Sequence, residues 1–188
     1  MAESLAFGLL TVVLLAAAVC DARTGLVPKV VTYGGTVAGL VLWTATGLLR
    51  EGWPGAGGYL VTALVACAAG YIPFAVIFAA GGLGGGDVKL MAAVGAISAS
   101  WKLVLATSVY AFVLMFVMAV AVMVYRGIVW RTVKRIVSAA LVALARVKPE
   151  LPTDSPKIPF AVATCVGGVV AGVEYLLRVD LPWSGWGP

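Results

Sequence analysis

The sequence predicts an all-α membrane protein with about six transmembrane helices, and three observations lead to this prediction. Hydrophobic residues make up 62% of the 188 residues, and the mean hydropathy is +1.07. Charged residues make up 11%, against roughly 25% in soluble domains. Several uncharged runs reach the roughly 17–25 residues that a helix needs to cross a bilayer. We therefore expect residues 1–188 to form a single domain embedded in the lipid bilayer.

The uncharged runs predict where the six helices lie. The first run covers residues 4–20; a signal peptide is the alternative, but the residues before it carry Glu3 and no Lys or Arg. The fourth helix, 88–100, would be about 20 Å long, which is shorter than the roughly 30 Å hydrocarbon core. The remaining predicted helices cover residues 30–49, 58–80, 103–125 and 158–177.

A basic segment separates the predicted fifth and sixth helices. Residues 126–157 hold seven of the 13 Lys and Arg residues, and apolar residues recur between them at helical spacing. This pattern predicts an amphipathic helix that lies on an anionic membrane surface. With six crossings, ten of the 13 basic residues share one side of the membrane. The positive-inside rule makes that side cytoplasmic, although a fourth helix that failed to cross would reverse part of this topology.

A glycine-rich segment lies between two strongly apolar runs. Residues 81–90 read GGLGGGDVKL and place Asp87 behind five glycines in six positions. Glycines at this density do not hold a regular helix, and they let another chain approach the backbone closely. A carboxylate inside or at the edge of a membrane is costly, which makes Asp87 a candidate for function. The alternative is a plain connector in which Asp87 only caps the fourth helix at its N-terminus.

A second carboxylate follows the first predicted helix. Asp21 opens a short polar turn that Pro28 closes, and taken alone it could be an ordinary solvated turn residue. Because the second and third helices lie between Asp21 and Asp87, we expect both acids at the same membrane face. Two carboxylates that share one proton can activate water and protonate an amide leaving group. The chain has no histidine and no Cys-x-x-Cys pair, so we expect neither a histidine-based triad nor a metal.

Together these motifs resemble a known family. Asp21 with Pro28, combined with the GGGDVKL segment, closely resembles the type IV prepilin peptidases, the GxGD class of intramembrane aspartyl proteases. Residues 156–161, PKIPFA, also resemble the proline-rich segment of that family. The resemblance implies that Asp21 and Asp87 are the catalytic pair. It also implies roles in shaping the loop or meeting the substrate for Gly84, Gly86, Lys89, Pro28 and Pro159.

The resemblance further implies an activity and a location. The protein would be an aspartic endopeptidase that removes the positively charged leader from prepilin-like membrane proteins at the cytoplasmic face of the plasma membrane, without metal or cofactor. Larger members that also N-methylate their product carry paired Cys-x-x-Cys motifs, so methyltransferase activity is not expected here. The chain is most similar to the short peptidases of tight-adherence (Flp) pilus or preflagellin systems, and no nucleic-acid partner is expected.

A rival function comes from another class of protein. Asp21 and Asp87 could serve as proton-relay groups in a small proton-coupled transporter or channel. Transporters of this kind often contain internal repeats, and the sequence shows none. Cleavage of a prepilin by the purified protein is the observation that separates the two.

Overall fold

The computed structural model describes residues 2–127, 129, 130, 134 and 159–177. Within these residues the chain forms helices and no strands, which confirms the predicted all-α class. The helices are α1 (Ala2–Thr24), α2 (Lys29–Ala79), α3 (Gly85–Ser98), α4 (Trp101–Tyr125) and α5 (Phe160–Leu177).

The chain divides into two compact units. The first comprises Met1–Phe112 together with Pro159–Pro188, and the second comprises Val113–Ile158. All the residues predicted for the candidate site belong to the first unit.

Four of the described helices, α1, α2, α4 and α5, are long and apolar enough to cross a membrane. Helix α3 has 14 residues, which gives it a length of about 21 Å, less than the roughly 30 Å hydrocarbon core. The number of about six spans is therefore not confirmed, and the topology built on it stays a prediction.

Helix α2 folds back on itself at one glycine. Its 51 residues are helical except at Gly52, whose φ of 71° and ψ of −156° suit glycine alone. On either side of this break the rings of Trp43 and Tyr59 stack with centroids 6.1 Å apart, and the backbone of Gly55 lies where a side chain on Gly47 would be. The second and third predicted helices thus correspond to two antiparallel limbs. The predicted turn between them shrinks to a single residue, since its other residues are helical.

Helix α1 continues beyond its predicted end. The sequence predicted a helix over 4–20 with Asp21 in the following turn, but α1 extends to Thr24 and Asp21 lies in its last turn. Gly25 stops the helix: its φ is 65°, and its N–H donates to the Asp21 carbonyl at 2.8 Å. The prediction was wrong because it ended the helix where charge begins, whereas a left-handed glycine is what ends it.

Glycines in the interior of the first unit allow its helices to come into close contact. A Cβ on Gly39 would lie 2.7 Å from the backbone of Ala96, and one on Gly70 would collide with the carbonyl of Met91. These contacts place α3 against both limbs of α2, and every residue from 90 to 97 is buried. Close approach through glycine and alanine is typical of helix packing in membranes. It holds the short α3, and with it Asp87, in a fixed position.

Large apolar side chains lie on the outside of the molecule. Val12 is 64% exposed, Val30 83% and Leu49 86%. Contiguous exposed apolar surface marks a site of contact with a membrane or a partner. Glycines at the helix contacts and many large apolar residues on the outside indicate a protein whose outer surface is covered by lipid.

The predicted amphipathic segment, 126–157, lies almost entirely outside the described residues. Gly127, with a φ of 63°, follows the end of α4. Farther on, the ammonium of Lys134 lies 5.5 Å from the ring centroid of Trp130, four residues before it and within cation–π range. A surface helix on the cytoplasmic side therefore stays a prediction.

Candidate active site

Asp21 reaches from the end of α1 to the start of α5. Its Oδ2 accepts a hydrogen bond from the backbone N–H of Ala161 at 3.0 Å. Ala161 is the second residue of α5, where backbone N–H groups have no partner within the helix and the helix dipole is positive. The start of α5 therefore offers a hydrogen-bond donor and the positive end of a helix dipole to the Asp21 side chain.

The packing of α5 against α1 brings these two groups together. A Cβ on Gly168 would lie 2.5 Å from Leu14 Cδ1, and a Cβ on Gly172 would collide with the ring of Phe7. These pairs show that the two helices run antiparallel with their backbones close. Ala161 lies seven residues before Gly168, and Asp21 lies seven residues after Leu14, which is about two helical turns in each case. The antiparallel packing therefore places Ala161 beside Asp21.

Asp87 is held by its own loop. It is the third residue of α3, and its Oδ2 accepts a hydrogen bond from the N–H of Gly84 at 3.3 Å. The residue at the N-cap position is Gly84, not Asp87, so the predicted alternative of an Asp87 N-cap is wrong in its position. The carboxylate instead reaches back from the third position to the start of the helix, as in one half of a capping box.

Asp21 lies close enough to Asp87 for its charge to act on the Asp87 carboxyl group. The pKa of Asp87, which lies outside the four candidate spans, is raised from 3.8 to about 6. Burial of the carboxyl group is the largest cause, and the negative charge of Asp21 is the second. The hydrogen bond from Gly84 opposes the shift, but it is outweighed. Asp87 is thus the member of the pair that holds a proton more readily than an ordinary aspartate.

The two glycines predicted to shape the loop leave room for different neighbours. A Cβ on Gly84 would lie 3.1 Å from Asp87 Oδ2, and a Cβ on Gly86 would lie 3.3 Å from the Cβ of Val27. Both distances are shorter than ordinary van der Waals contact. Gly84 therefore makes space for the carboxylate itself, and Gly86 makes space for the loop between α1 and α2.

The other three predicted residues, Pro28, Pro159 and Lys89, lie on or next to helices that carry the two aspartates or pack against those that do. Pro28 occupies the N-cap of α2 with an extended backbone, directly after Val27, and Pro159 directly precedes α5. The ammonium of Lys89 lies 5.1 Å from the ring centroid of Tyr33 on α2, which is within cation–π range. Lys89 is thus directed towards the first limb of α2.

Sequence reasoning missed three residues that lie against the predicted site residues: Ala161 beside Asp21, Val27 beside Gly86 and Tyr33 beside Lys89. Ala161 acts through its backbone, so its residue type carries no signal. One sequence feature could have pointed to such a partner. An acidic residue near the C-terminus of a helix is repelled by the negative end of the helix dipole. A hydrogen-bond donor from elsewhere in the chain is therefore expected to stabilise Asp21.

A small, partly open pocket lies elsewhere in the first unit. Its lining includes Glu3 and Phe7 at the start of α1 and Tyr175 near the end of α5. Asp21 lies fourteen positions after Phe7 along α1, a distance of about 20 Å. The pocket therefore does not belong to the aspartate pair.

Metal binding was not predicted for this site. Within the described ranges, no three His, Cys, Asp or Glu side chains lie together in a group that could hold a metal ion. The expectation of a site without metal or cofactor stays a prediction.

Comparison with known proteins provides the family. The sequence model of the type IV leader peptidase family matches residues 8–123, more than half of the chain, and the match includes Asp21 and Asp87. No curated protein and no solved structure matches the chain. Helix α5 lies beyond the matched residues, so its bond to Asp21 is seen in the structure alone. The chain belongs to the type IV leader peptidase family and is a peptidase, as the motifs around the two aspartates predicted.

Proposed function

We propose that the protein is an aspartic endopeptidase of the plasma membrane that removes the positively charged leader from type IV prepilin-like precursors. The observation that carries this proposal is that Asp21, in the last turn of α1, lies close enough to Asp87, in the first turn of α3, for its charge to raise the pKa of Asp87. In a chain of this peptidase family, two interacting carboxylates are the groups that general acid–base hydrolysis needs.

The surroundings of the two aspartates suggest a division of work. Asp21, which accepts the N–H of Ala161 at a helix N-terminus, is the member placed to carry the negative charge. Asp87, whose pKa is raised to about 6, is the member placed to hold the shared proton. We assign Asp21 as general base and Asp87 as general acid in the first step.

Hydrolysis then follows with all protons accounted for. Asp21 removes a proton from water, the water oxygen bonds to the carbonyl carbon of the scissile peptide, and Asp87 gives its proton to the carbonyl oxygen. In the second step the carbonyl forms again and its proton returns to Asp87. Asp21 gives its proton to the leaving nitrogen as the carbon–nitrogen bond breaks. The pair returns to its starting state, which needs one proton shared between two carboxylates.

Two features favour a cationic, extended substrate. The loop before Asp87 exposes Gly81, Gly82 and Gly84, whose lack of side chains leaves the backbone open to a second chain. Two acids next to this loop match the positive sign of a prepilin leader. The excess of basic residues on the predicted cytoplasmic side supports a site at the cytoplasmic face of the membrane.

Purified protein mixed with a type IV prepilin tests this proposal. We expect release of the leader, detected as the mature pilin by mass spectrometry, and no release by the double variant Asp21→Asn/Asp87→Asn. Glu51→Gln is the matched control, because Glu51 is an exposed carboxylate beside the Gly52 break, and it should cleave like the parent. Failure to cleave any prepilin would contradict the substrate class, and cleavage by the folded double variant would contradict the aspartic mechanism.

A further inference from the structure

The position of Asp21 is unusual for an acidic residue. It lies in the last turn of α1, where the unpaired carbonyl groups make the helix end negative and repel a carboxylate. A choice of residue that conflicts with a local rule is expected mainly at functional sites, where another part of the structure compensates for it. Here the compensation comes from the first turn of α5, through the Ala161 N–H.

The first turn of α5 is itself firmly held. Ala161 is fully buried, and Phe160 is 4% exposed. The ring of Phe160 lies 5.9 Å from that of Phe74 on α2 and 6.1 Å from that of Phe112 on α4, centroid to centroid. Phe74 and Phe112 stack on each other at 5.7 Å. Three rings at these separations form an aromatic cluster, so the donor comes from a backbone fixed by two other helices.

The Ala161 N–H can donate to Asp21 because Ala161 is the second residue of α5. The first four N–H groups of an α-helix have no partner of their own within it. The Ala161 N–H therefore takes no part in the hydrogen bonds within α5. Its bond to Asp21 can form without breaking any bond of the helix.

We propose that Ala161 is a positioning residue, whose backbone N–H orients the Asp21 carboxylate towards Asp87, and that the Phe74–Phe112–Phe160 cluster fixes the turn that carries it. This inference rests on the proposed aspartic mechanism. It adds a part of the chain beyond the matched residues 8–123 to the machinery of the reaction.

A variant that lacks the backbone N–H hydrogen of residue 161 tests the inference. Ala161→Pro lacks the N–H, and proline is tolerated in the first turn of a helix. We expect kcat for leader cleavage to fall by roughly tenfold or more, since slight misplacement of a reacting group has effects of this size. KM should stay close to that of the parent, because Ala161 is fully buried and its side chain offers no surface to a substrate.

Two matched variants separate positioning from a general effect on the helix. Val162→Pro puts proline in the same turn and removes a neighbouring N–H that is not the one bonded to Asp21, so kcat should stay near that of the parent. Ala161→Gly keeps the N–H and should also retain kcat. Equal losses of kcat in Ala161→Pro and Val162→Pro would overturn the inference, because proline in this turn would then be harmful wherever it stands.

An ester in place of the Phe160–Ala161 amide covers the case in which Ala161→Pro does not fold. This change removes the hydrogen and adds no atoms to a buried position. A normal kcat in the ester protein, with Asp21→Asn inactive, would overturn the positioning role and leave the proposed function standing. Normal cleavage by Asp21→Asn would contradict the proposed function itself.

Discussion

The two aspartates of the candidate site are held in opposite ways. Asp87 lies in the first turn of α3, and its donor, Gly84, is three residues away. Asp21 lies in the last turn of α1, and its donor, Ala161, is 140 residues away. A short motif fixes one carboxylate, whereas the packing of two distant helices fixes the other. Similar chemical groups can therefore differ completely in how much of the chain they depend on.

The two aspartates also differ in the electrostatic environment that their helix ends provide. Asp87 stands at the positive end of its helix, which favours the charged form, and Asp21 stands at the negative end of its own helix. Burial and the charge of Asp21 outweigh the helix position of Asp87 and raise its pKa to about 6. Helix α5 supplies the Asp21 side chain with a hydrogen-bond donor from another part of the chain.

The largest expected effect is the loss of either carboxylate. If the pair shares one proton, Asp21→Asn and Asp87→Asn should each lower kcat by roughly 10²–10⁴-fold, the usual size of a general acid–base contribution. Both variants should lose kcat to a similar extent, because each aspartate transfers a proton in both steps of the proposed hydrolysis. Leader cleavage by each purified variant measures this, with helicity as the control for folding. A folded single variant as active as the parent would remove that aspartate from the mechanism.

A smaller effect is expected from the loop that holds Asp87. Gly84→Ala brings a Cβ to 3.1 Å from Asp87 Oδ2, whereas Gly85→Ala makes only ordinary contacts with the ring of Phe78 at 3.5 and 3.6 Å. We expect Gly84→Ala to lower kcat about tenfold by displacing the carboxylate, and Gly85→Ala to change it little. Steady-state cleavage assays measure both. Equal activities would show that the site of Asp87 does not depend on the space at Gly84.

This contrast explains how much could be predicted from the sequence. The all-α class and the segment around Asp87 follow from local patterns, namely uncharged runs and a dense set of glycines. The last turn of α1 was missed because polar residues such as Arg23 were taken as the end of the helix. The bond from Ala161 could not be predicted, because a backbone N–H has no signal in the sequence and its position depends on how α5 packs against α1.

The smallest expected effect is on stability. The folded pKa of Asp87, about 6, lies above its ordinary value of 3.8. Between these values the folded protein binds more protons than the unfolded chain, so stability should fall as pH rises through this window. Asp87→Asn should remove this part of the pH dependence. Thermal unfolding midpoints of both proteins, followed by loss of helical circular dichroism across this pH window in one detergent, check the sign. A parent protein that gains stability relative to Asp87→Asn as pH rises would contradict it.

The proposed mechanism depends on an interaction between the two carboxylates and on a proton held by Asp87. Infrared titration of protein labelled with ¹³C-aspartate measures this directly, through the carbonyl band of the protonated carboxyl group. We expect one aspartate to titrate near pH 6, its band to vanish in Asp87→Asn, and its pKa to fall in Asp21→Asn as the neighbouring charge is removed. An unchanged titration in Asp21→Asn, or a band that persists in Asp87→Asn, would contradict the account.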